Sequence, residues 1–364
     1  MQSNLSKILM PNTVIIGSGS CVPSNIIKGS DFLDSIFFDD NKELIDKPTQ
    51  EVIDKFVEIT EIEERRYCNP NEYNSDLGLK ASLEALEDAG IDKEELDYII
   101  YASNFGEVSN SGVSDFMPSM SARLKNKLGI KNLSCINYDM IFGCPGWVEG
   151  MILADSLIKA GRAKYILVVG GDTLSKVTDP YDRNKMIFAD GAGAVVVKAD
   201  ESKDKGIIAD STLCFNGEEL SYLENSPSLN PAEPQDKNYI RMRGRKIYEF
   251  ALKYVPDAIK STIDKAGLSI QDIDKILIHQ ANAKMDHAII SRLHRLYGMK
   301  TYDEAIAPMT IQKFGNSSVA TVPTMYNLIK KGQLGNHQFK QGGYVVFASV
   351  GAGMNINAIL YKMD

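Results

Sequence analysis

The apolar positions of this chain fall in short runs, of which 165–169 and 344–348 are the longest. Runs of this length are far below the ~20 residues that a membrane-spanning helix needs, so we expect no membrane insertion. They are typical of buried strands. Because these runs alternate with helical segments that end at glycine, the pattern predicts an α/β fold.

The chain also repeats part of its own pattern. Residues 89–102 align without gaps with residues 266–279. In both copies a helix is predicted to end at a glycine, Gly90 or Gly267, and a buried strand follows after a short turn. The two predicted strands are 98–101 and 275–278.

A second repeated segment contains candidate reactive residues. Cys144 follows Phe-Gly and precedes a predicted helix and a strand over 165–169. Asn316 also follows Phe-Gly and precedes the same pattern, with a strand over 344–347. One such pair could arise by chance between generic α/β segments, but two pairs in the same order indicate two related α/β halves.

The duplication predicts the domain organisation. The first half, residues 1–200, carries Cys144, and the second half, residues 241–364, carries His279 and Asn316. Between them, residues 201–240 are dense in Pro, Asn, Ser and Glu, which predicts a long connecting loop or insertion.

Composition limits the classes of function. With 364 residues, 44% hydrophobic and 24% charged, the chain is typical of a globular protein of two domains or one large one. A net charge of -8 argues against a nucleic-acid-binding protein, although Arg241, Arg243 and Arg245 form a local basic cluster. The first residues lack the apolar core of a signal peptide, so we expect a cytoplasmic location.

Cysteine and histidine positions do not favour a metal site. None of the five cysteines belongs to a CxxC pair, and their spacing indicates neither a disulfide framework nor a zinc site. His287 and His294 are seven residues apart but have no third candidate ligand nearby, so we expect no bound metal.

Three residues are candidates for chemistry. The duplication pairs Cys144 with Asn316, each at the start of a predicted helix, and His279 lies where a predicted strand ends, a usual location for reactive groups in α/β sheets. A helix N-terminus favours the thiolate, so we expect a lowered pKa for Cys144. Taken singly, each residue has a structural alternative, namely a buried cysteine, a core histidine and a helix N-cap.

Several segments together resemble the β-ketoacyl-[acyl-carrier-protein] synthase III family of the thiolase superfamily. The segments that carry the resemblance are 14–20, 178–183, 188–194, 279–282, 315–318 and 351–353. The resemblance covers nearly the whole chain and implies the thiolase fold, in which two duplicated α/β halves form five αβαβα layers. It also implies a homodimer.

The resemblance assigns roles to individual residues. Cys144 matches the nucleophile that takes the primer acyl group, and the backbone N–H groups of Cys144 and Ala352 match its oxyanion hole. His279 and Asn316 match the pair that hydrogen-bonds the malonyl thioester as carbon dioxide leaves. The implied substrates are thioesters of coenzyme A or of carrier-protein phosphopantetheine, with no permanently bound cofactor.

Two related enzyme types fit less well. A degradative thiolase needs a second catalytic cysteine late in the chain, but no cysteine follows Cys214. A hydroxymethylglutaryl-CoA synthase needs a glutamate base. The matching position is Asn104, and Glu107 three residues later is a weak candidate for that base.

Other positions depart from the family pattern and bear on the substrate. Residues 54–62 lack the Trp and Arg that clamp adenine, Val350 replaces a gate Phe, and Trp147 replaces the Phe that usually follows the nucleophile. These departures favour a longer or carrier-bound acyl donor. The resemblance places Met117 near the tunnel of the partner subunit. Basic candidates for binding the donor or an acidic acyl carrier protein are Arg183, Arg243, Arg245 and Lys284, with Arg241 beside them.

Three functional hypotheses follow. The leading one is a decarboxylative Claisen condensation that forms a 3-oxoacyl thioester, in fatty-acid initiation or a related pathway. The second is a specialised enzyme that joins two long acyl chains or transfers an acyl group without decarboxylation. The third is a catalytically silent scaffold subunit, against which the complete Cys-His-Asn set argues.

Overall fold

The computed structural model describes residues 11–202 and 204–364. The expectation about a signal peptide concerns residues 1–10, which lie outside this range. The strands are β1 (Asn12–Cys21), β2 (Asn25–Lys28), β3 (Glu64–Tyr67), β4 (Tyr98–Ala102), β5 (Glu107–Val108), β6 (Ser114–Asp115), β7 (Ile136–Met140), β8 (Tyr165–Thr173), β9 (Asp190–Asp200), β10 (Gly206–Leu213), β11 (Leu223–Pro227), β12 (Asn238–Met242), β13 (Ile273–Ile278), β14 (Tyr344–Gly351) and β15 (Asn355–Lys362). The α-helices are α1 (Thr49–Thr60), α2 (Asn74–Ala89), α3 (Met120–Leu128), α4 (Gly146–Lys159), α5 (Gly244–Lys265), α6 (Ala283–Leu296), α7 (Ile311–Phe314) and α8 (Thr321–Lys330).

Two mixed sheets form the centre of the molecule. The first sheet has the strand order β1-β9-β8-β4-β7, and the second has the order β10-β15-β14-β13. In the first, β4 and β8 are parallel and β9 is antiparallel to β8. In the second, β13 and β14 are parallel and β15 is antiparallel to β14. The same order of parallel and antiparallel strands in both sheets confirms the predicted duplication.

The sheets and helices stack in five layers. Helices α2 and α3 cover the outer face of the first sheet. Helices α4 and α8 lie between the two sheets, and α5 and α6 cover the outer face of the second. Both faces of each sheet are therefore covered, which explains why strands such as β4 and β13 are buried at every position instead of alternating between buried and exposed residues. This is the αβαβα arrangement that the resemblance implies.

The predicted connecting loop over 201–240 is wrong in its secondary structure. Residues 206–213 form β10, which pairs with β15 at the edge of the second sheet, and β11 and β12 form an antiparallel hairpin. The high density of Pro and Asn lies mostly in the turn between β11 and β12, where these residues are favoured. The first sheet ends at Asp200 and the second begins at Gly206, so the halves meet there.

None of the helices in the described part of the chain combines the length and the apolar character needed to cross a membrane.

Candidate active site

Cys144, His279 and Asn316 line one cavity of about 250 Å³ at the meeting point of the two halves. His279 and Asn316 are each only 3% exposed. The structure thus brings together three residues that are far apart in sequence and come from both duplicated halves. This cavity is called the inner cavity below.

Cys144 lies in a tight turn directly before α4. Gly143 has a φ of 73°, and a Cβ at this position would lie 2.6–2.7 Å from the backbone of Ala352. Across the cavity wall, a Cβ on Gly351 would come within 2.8 Å of the Cβ of Cys144. Because neither glycine has a side chain, the two backbone turns pack directly against each other. The backbone N–H groups of Cys144 and Ala352 lie close enough to the Cys144 sulfur to lower the pKa of the thiol, and both residues line the inner cavity.

The expectation of a lowered pKa for Cys144 is wrong for the empty site. Burial raises the pKa of the thiol to about 11, although the Ser318 hydroxyl and the two backbone N–H groups act in the opposite direction. The helix terminus favours the thiolate, as the sequence suggested, but loss of water around the sulfur outweighs that effect. A pKa of about 11 corresponds to a thiol at neutral pH.

His279 follows directly after β13, as predicted, and its backbone N–H donates to the carbonyl of Ala348 on the neighbouring strand at 2.8 Å. Burial lowers the pKa of the imidazole to about 4, and a contact with the Ser318 backbone partly offsets this shift. A neutral imidazole carries one N–H, so His279 can donate a hydrogen bond to an oxygen in the cavity without itself being charged.

Asn316 is fixed by its backbone and by its side-chain oxygen. Its N–H donates to Ile187 at 2.9 Å and its carbonyl accepts from Ala189 at 2.8 Å. Its Oδ1 accepts from the backbone N–H of Ser318 at 2.8 Å. Because the oxygen is occupied in this way, the Nδ2 group is left as the donor toward the inner cavity. The short helical turn 318–320 separates Asn316 from α8, so it does not begin that helix directly.

Two polar residues of the inner cavity, Asn104 and Ser318, had no assigned role from the sequence, and neither had Asp172 behind them. Asn104 donates from its backbone and its side chain to Asp172, and also from its side chain to Ser318. Burial raises the pKa of Asp172 to about 7. The position of Asp172 near the carboxyl end of β8 is a signal that sequence reasoning had available and did not use.

The remaining wall of the inner cavity is mostly apolar, apart from Glu224 and Asn225 of β11. The hairpin β11–β12 contributes Leu223, Ile240 and Met242, and the end of β14 contributes Val350. Further apolar wall residues are Phe105, Ile141, Leu174, Phe188, Ile247, Met285 and Met354. A wall of this composition suits an alkyl chain.

A second, larger cavity of about 890 Å³ adjoins the inner one. This outer cavity shares with the inner one the wall residues Met242, Ile247, Ala281 and Met285. Arg183 and Arg245 line it, together with Lys55 and Ile59 of α1. The two cavities are therefore neighbours that share part of one wall.

The other predicted binding residues lie elsewhere. Trp147 is 1% exposed, packs edge-on against Phe347 between the sheets, and does not line either cavity, so its predicted role in the tunnel is wrong. Trp147 is the second residue of α4, three residues after Cys144, and its side chain points into the core. Met117 is 86% exposed and lines neither cavity in the single chain.

The weak candidate base is also not in the site. Glu107 accepts hydrogen bonds from the backbone and hydroxyl of Ser75, at 2.9 and 2.5 Å, and does not line the inner cavity. A partly buried carboxylate held in this way is a structural acceptor.

Of the basic candidates outside the outer cavity, Arg241 is only 8% exposed and pairs with Asp179 and Asp182, so it is not available for docking. Arg243 is exposed and lies 3.8 Å from Glu224. Lys284 belongs to α6 and lies close enough to Glu58 of α1 to lower the pKa of that carboxyl, though a bond to Lys55 has the larger effect.

Comparison with known proteins identifies the family. Residues 138–217 match the model of 3-oxoacyl-[acyl-carrier-protein] synthase III, and residues 263–363 match the model of its C-terminal part. The β-ketoacyl-[acyl-carrier-protein] synthase III of Clostridium acetobutylicum is 33% identical over 97% of this chain and 99% of its own length. That of Staphylococcus epidermidis is 32% identical over 96% and 99%.

The fold agrees with these matches. The crystal structure of the synthase III from Thermus thermophilus superposes with a TM-score of 0.78 and 28% identity, over 96% of this chain and 99% of that one. The two mixed sheets and five layers described above are thus the thiolase fold, as the sequence predicted. The chain belongs to the β-ketoacyl-[acyl-carrier-protein] synthase III family of condensing acyltransferases, which initiate fatty-acid synthesis.

Proposed function

We propose that the inner cavity catalyses both half-reactions of this family, with the roles divided between the two halves of the chain. In the first, the sulfur of Cys144 attacks the carbonyl of an acyl thioester while the N–H groups of Cys144 and Ala352 stabilise the oxyanion. A new C–S bond forms, the donor thiolate leaves, and the proton of Cys144 balances that leaving thiolate. The observation that carries this proposal is that Cys144, Ala352, His279 and Asn316, which come from both halves of the chain, line one cavity.

The second half-reaction uses a malonyl thioester. Its carbonyl oxygen accepts hydrogen bonds from His279 and Asn316 while the C–C bond to the carboxylate breaks and carbon dioxide leaves. The carbanion then attacks the acyl group on Cys144, a new C–C bond forms, and the sulfur leaves as a thiolate that regains a proton. Two neutral donors in a buried cavity stabilise the developing negative charge on oxygen, an effect typically worth about 3–4 kcal/mol per donor.

The test is to incubate the protein with a malonyl-carrier thioester and acyl donors of increasing chain length, and to follow carbon dioxide and 3-oxoacyl product together. We expect both products in equal amounts, and we expect no 3-oxoacyl product from Cys144→Ala. A donor that acylates Cys144 but yields no carbon dioxide would favour acyl transfer without decarboxylation. Absence of any Cys144 adduct would favour the scaffold hypothesis.

We infer further that the acyl donor is presented by a carrier protein. The face of α1 toward the outer cavity carries Lys55 and Ile59 where the family resemblance would require an aromatic and a guanidinium clamp for adenine. Exposed Arg245 lies beside this cavity, and Lys284 is the family's matching basic position. Carboxylates line this cavity too, namely Asp39, Glu43 and Glu51. The exposed basic side chains beside them suit an acidic carrier better than they suit a stacked adenine.

This inference is tested by supplying one acyl group on coenzyme A and on an acyl carrier protein. We expect a higher kcat/KM with the carrier, and we expect Arg245→Glu to lower that value about tenfold while changing the coenzyme A reaction little, since rim charges mainly affect association. Arg162→Glu, a charge reversal outside both cavities, is the matched control. A preference for coenzyme A would contradict the inference.

A homodimer is the third part of the proposal. Strand β7 is at the edge of the first sheet, and its residues Ile136 and Tyr138 are 38% and 45% exposed. An exposed apolar edge strand is suited to pairing with another chain. Light scattering should give twice the chain mass, and Tyr138→Lys should lower it, whereas Leu220→Lys at another exposed site should not. The cytoplasmic location expected from the sequence stays a prediction.

A further inference from the structure

Ser318 contacts the three catalytic residues at once. Its side chain lines the inner cavity together with Cys144, and its hydroxyl lowers the pKa of that thiol. Its N–H donates to Oδ1 of Asn316, and its backbone lies beside the imidazole of His279. Ser318 itself has a φ of 55°, a left-handed conformation that is uncommon outside glycine. Backbone strain of this kind is often found at functional sites.

Asn104 fixes the orientation of the Ser318 hydroxyl. The Nδ2 group of Asn104 donates to Ser318 Oγ at 2.7 Å and to Asp172 Oδ2 at 2.7 Å, so both of its hydrogens are used. The backbone N–H of Asn104 donates to Asp172 Oδ1 at 2.9 Å. Because Ser318 Oγ accepts from Asn104, its own O–H must donate to another atom.

Two acceptors lie beside that O–H, the sulfur of Cys144 and the carboxylate of Asp172. While Cys144 is a thiol, the carboxylate is the stronger acceptor. When Cys144 becomes a thiolate, the sulfur is a charged acceptor as well, and bonds to charged acceptors are about twice as strong as neutral ones. Both oxygens of Asp172 already accept from Asn104, so the O–H then donates to the sulfur.

We propose that Ser318 is a catalytic residue that stabilises the Cys144 thiolate, and that Asn104 and Asp172 are positioning residues that aim its hydroxyl. The proposal rests on the function proposed above, in which the sulfur is anionic twice, before it attacks the donor and after the carbanion displaces it. The burial that opposes the thiolate makes a fixed donor most useful at these two moments.

The test measures alkylation of Cys144 by iodoacetamide, quantified by the mass of the Cys144 peptide between pH 7.5 and 9.5. Cys214 is exposed and serves as a reference within each sample. Since the thiolate is the reacting form, we expect Ser318→Ala to slow alkylation of Cys144 relative to Cys214 about tenfold, the effect of about one unit in pKa. Ser317→Ala, which removes the neighbouring hydroxyl, should change the rate less than twofold.

Two further variants separate this role from a structural one. Ser318→Gly removes the hydroxyl and suits the left-handed backbone, so it should fold and react as slowly as Ser318→Ala. Asn104→Ala should also slow alkylation, and combining it with Ser318→Ala should add no further loss, because both act through one hydroxyl.

Two results would overturn the proposal. One is alkylation of Cys144 in Ser318→Gly at the wild-type rate. The other is a double variant whose alkylation rate falls by the product of the losses in Asn104→Ala and Ser318→Ala. The assay needs neither an acyl donor nor a malonyl thioester. A protein that shows the expected alkylation pattern but no condensation would therefore contradict the proposed function and leave the role of Ser318 intact.

Discussion

The two copies of the Phe-Gly-X turn, around Cys144 and around Asn316, share a sequence pattern but differ in the structure that follows them. Cys144 is followed at once by Pro145 and α4, so its N–H and sulfur lie at the start of a long helix. Asn316 instead pairs its backbone with Ile187 and Ala189, and a short turn precedes α8.

The difference matches the chemistry that each turn supports. A nucleophile with an oxyanion hole needs free N–H groups, which a helix start provides. A hydrogen-bond donor to an enolate needs a rigid carboxamide with its oxygen already occupied, which the backbone bridge and the Ser318 N–H provide. In the proposed function, the duplication thus supplies one turn for the primer and one for the malonyl group.

The largest expected effect comes from separating these two roles. Asn316→Ala removes one donor to the malonyl carbonyl, so we expect decarboxylation to fall about 10²–10³-fold. Transfer of the primer to Cys144 should change much less, because the two N–H groups that serve it are intact. The measurements are labelled carbon dioxide release and the mass of the acyl-protein in a single turnover.

The reciprocal variant is Cys144→Ala, which should lose the acyl-protein completely while retaining His279 and Asn316 for decarboxylation. Equal loss of both half-reactions in Asn316→Ala would show that the two turns do not divide the work.

Glycines at the strand ends offer a second way to test the comparison. A Cβ on Gly351, at the end of β14, would collide with the N atom of Cys144 and lie 2.7 Å from Pro145. A Cβ on Gly170, in β8, would collide with the carbonyl of Val319, three residues after Asn316. In each half, therefore, a glycine of the central sheet makes room for the reactive turn of the other half.

We expect Gly351→Ala to impair primer transfer more strongly and Gly170→Ala to impair decarboxylation more strongly, each by about tenfold or more. Overpacking of this kind also costs about 1–3 kcal/mol in the free energy of unfolding. Denaturant unfolding and the two half-reaction assays measure these effects. If both variants lost primer transfer and decarboxylation in the same proportion, the result would contradict an arrangement in which a glycine of each half accommodates the turn of the other half.

The pH dependence of folding stability offers a test of the second turn in which the expected effect is smaller but has a defined direction. Burial lowers the pKa of His279 to about 4, so the imidazole stays neutral in the folded protein while it would gain a proton in the unfolded chain below pH 6.5. The unfolded state then binds more protons, so this residue lowers the folding stability as pH falls from 6.5 toward 4.

Replacing His279 by Gln should therefore reduce the loss of stability between pH 6.5 and 4.5, as measured by thermal unfolding. In the wild type, decarboxylation should show no step from His279 between pH 5.5 and 8. A step near pH 6.5 that disappears in His279→Gln would contradict a neutral donor.

The sequence was sufficient to predict that Cys144, His279 and Asn316 share one cavity, because each lies at a fixed place in a repeated strand and helix pattern. Their catalytic roles come from the family resemblance and stay predictions. It was not sufficient for the bridge through Asn104, which joins residues distant along the chain by side-chain hydrogen bonds that leave no periodic pattern. The pKa of Cys144 was misjudged because the helix terminus is visible in sequence whereas the depth of burial is not.

Two other differences have simple physical causes. Over 201–240, the Pro and Asn residues of one hairpin turn concealed the strands on either side. Met117 lines neither cavity in the single chain, so its predicted place in a tunnel depends on the partner subunit and stays a prediction.

The smallest expected effect concerns Trp147, the residue of the first turn that corresponds to Val319 in the second. Both are buried in the layer between the sheets. Trp147→Phe should cost about 1–2 kcal/mol in the free energy of unfolding, since a large buried ring is replaced by a smaller one. The indole N–H has no hydrogen-bond partner among the described residues, so no such bond is lost.

The preference of Trp147→Phe for acyl chain length should stay unchanged, whereas Val350→Phe, which alters the inner cavity wall, should shift the preference toward shorter chains. A changed preference in Trp147→Phe would mean that α4 supplies a tunnel wall, and the two turns would then differ in substrate contact as well as in chemistry.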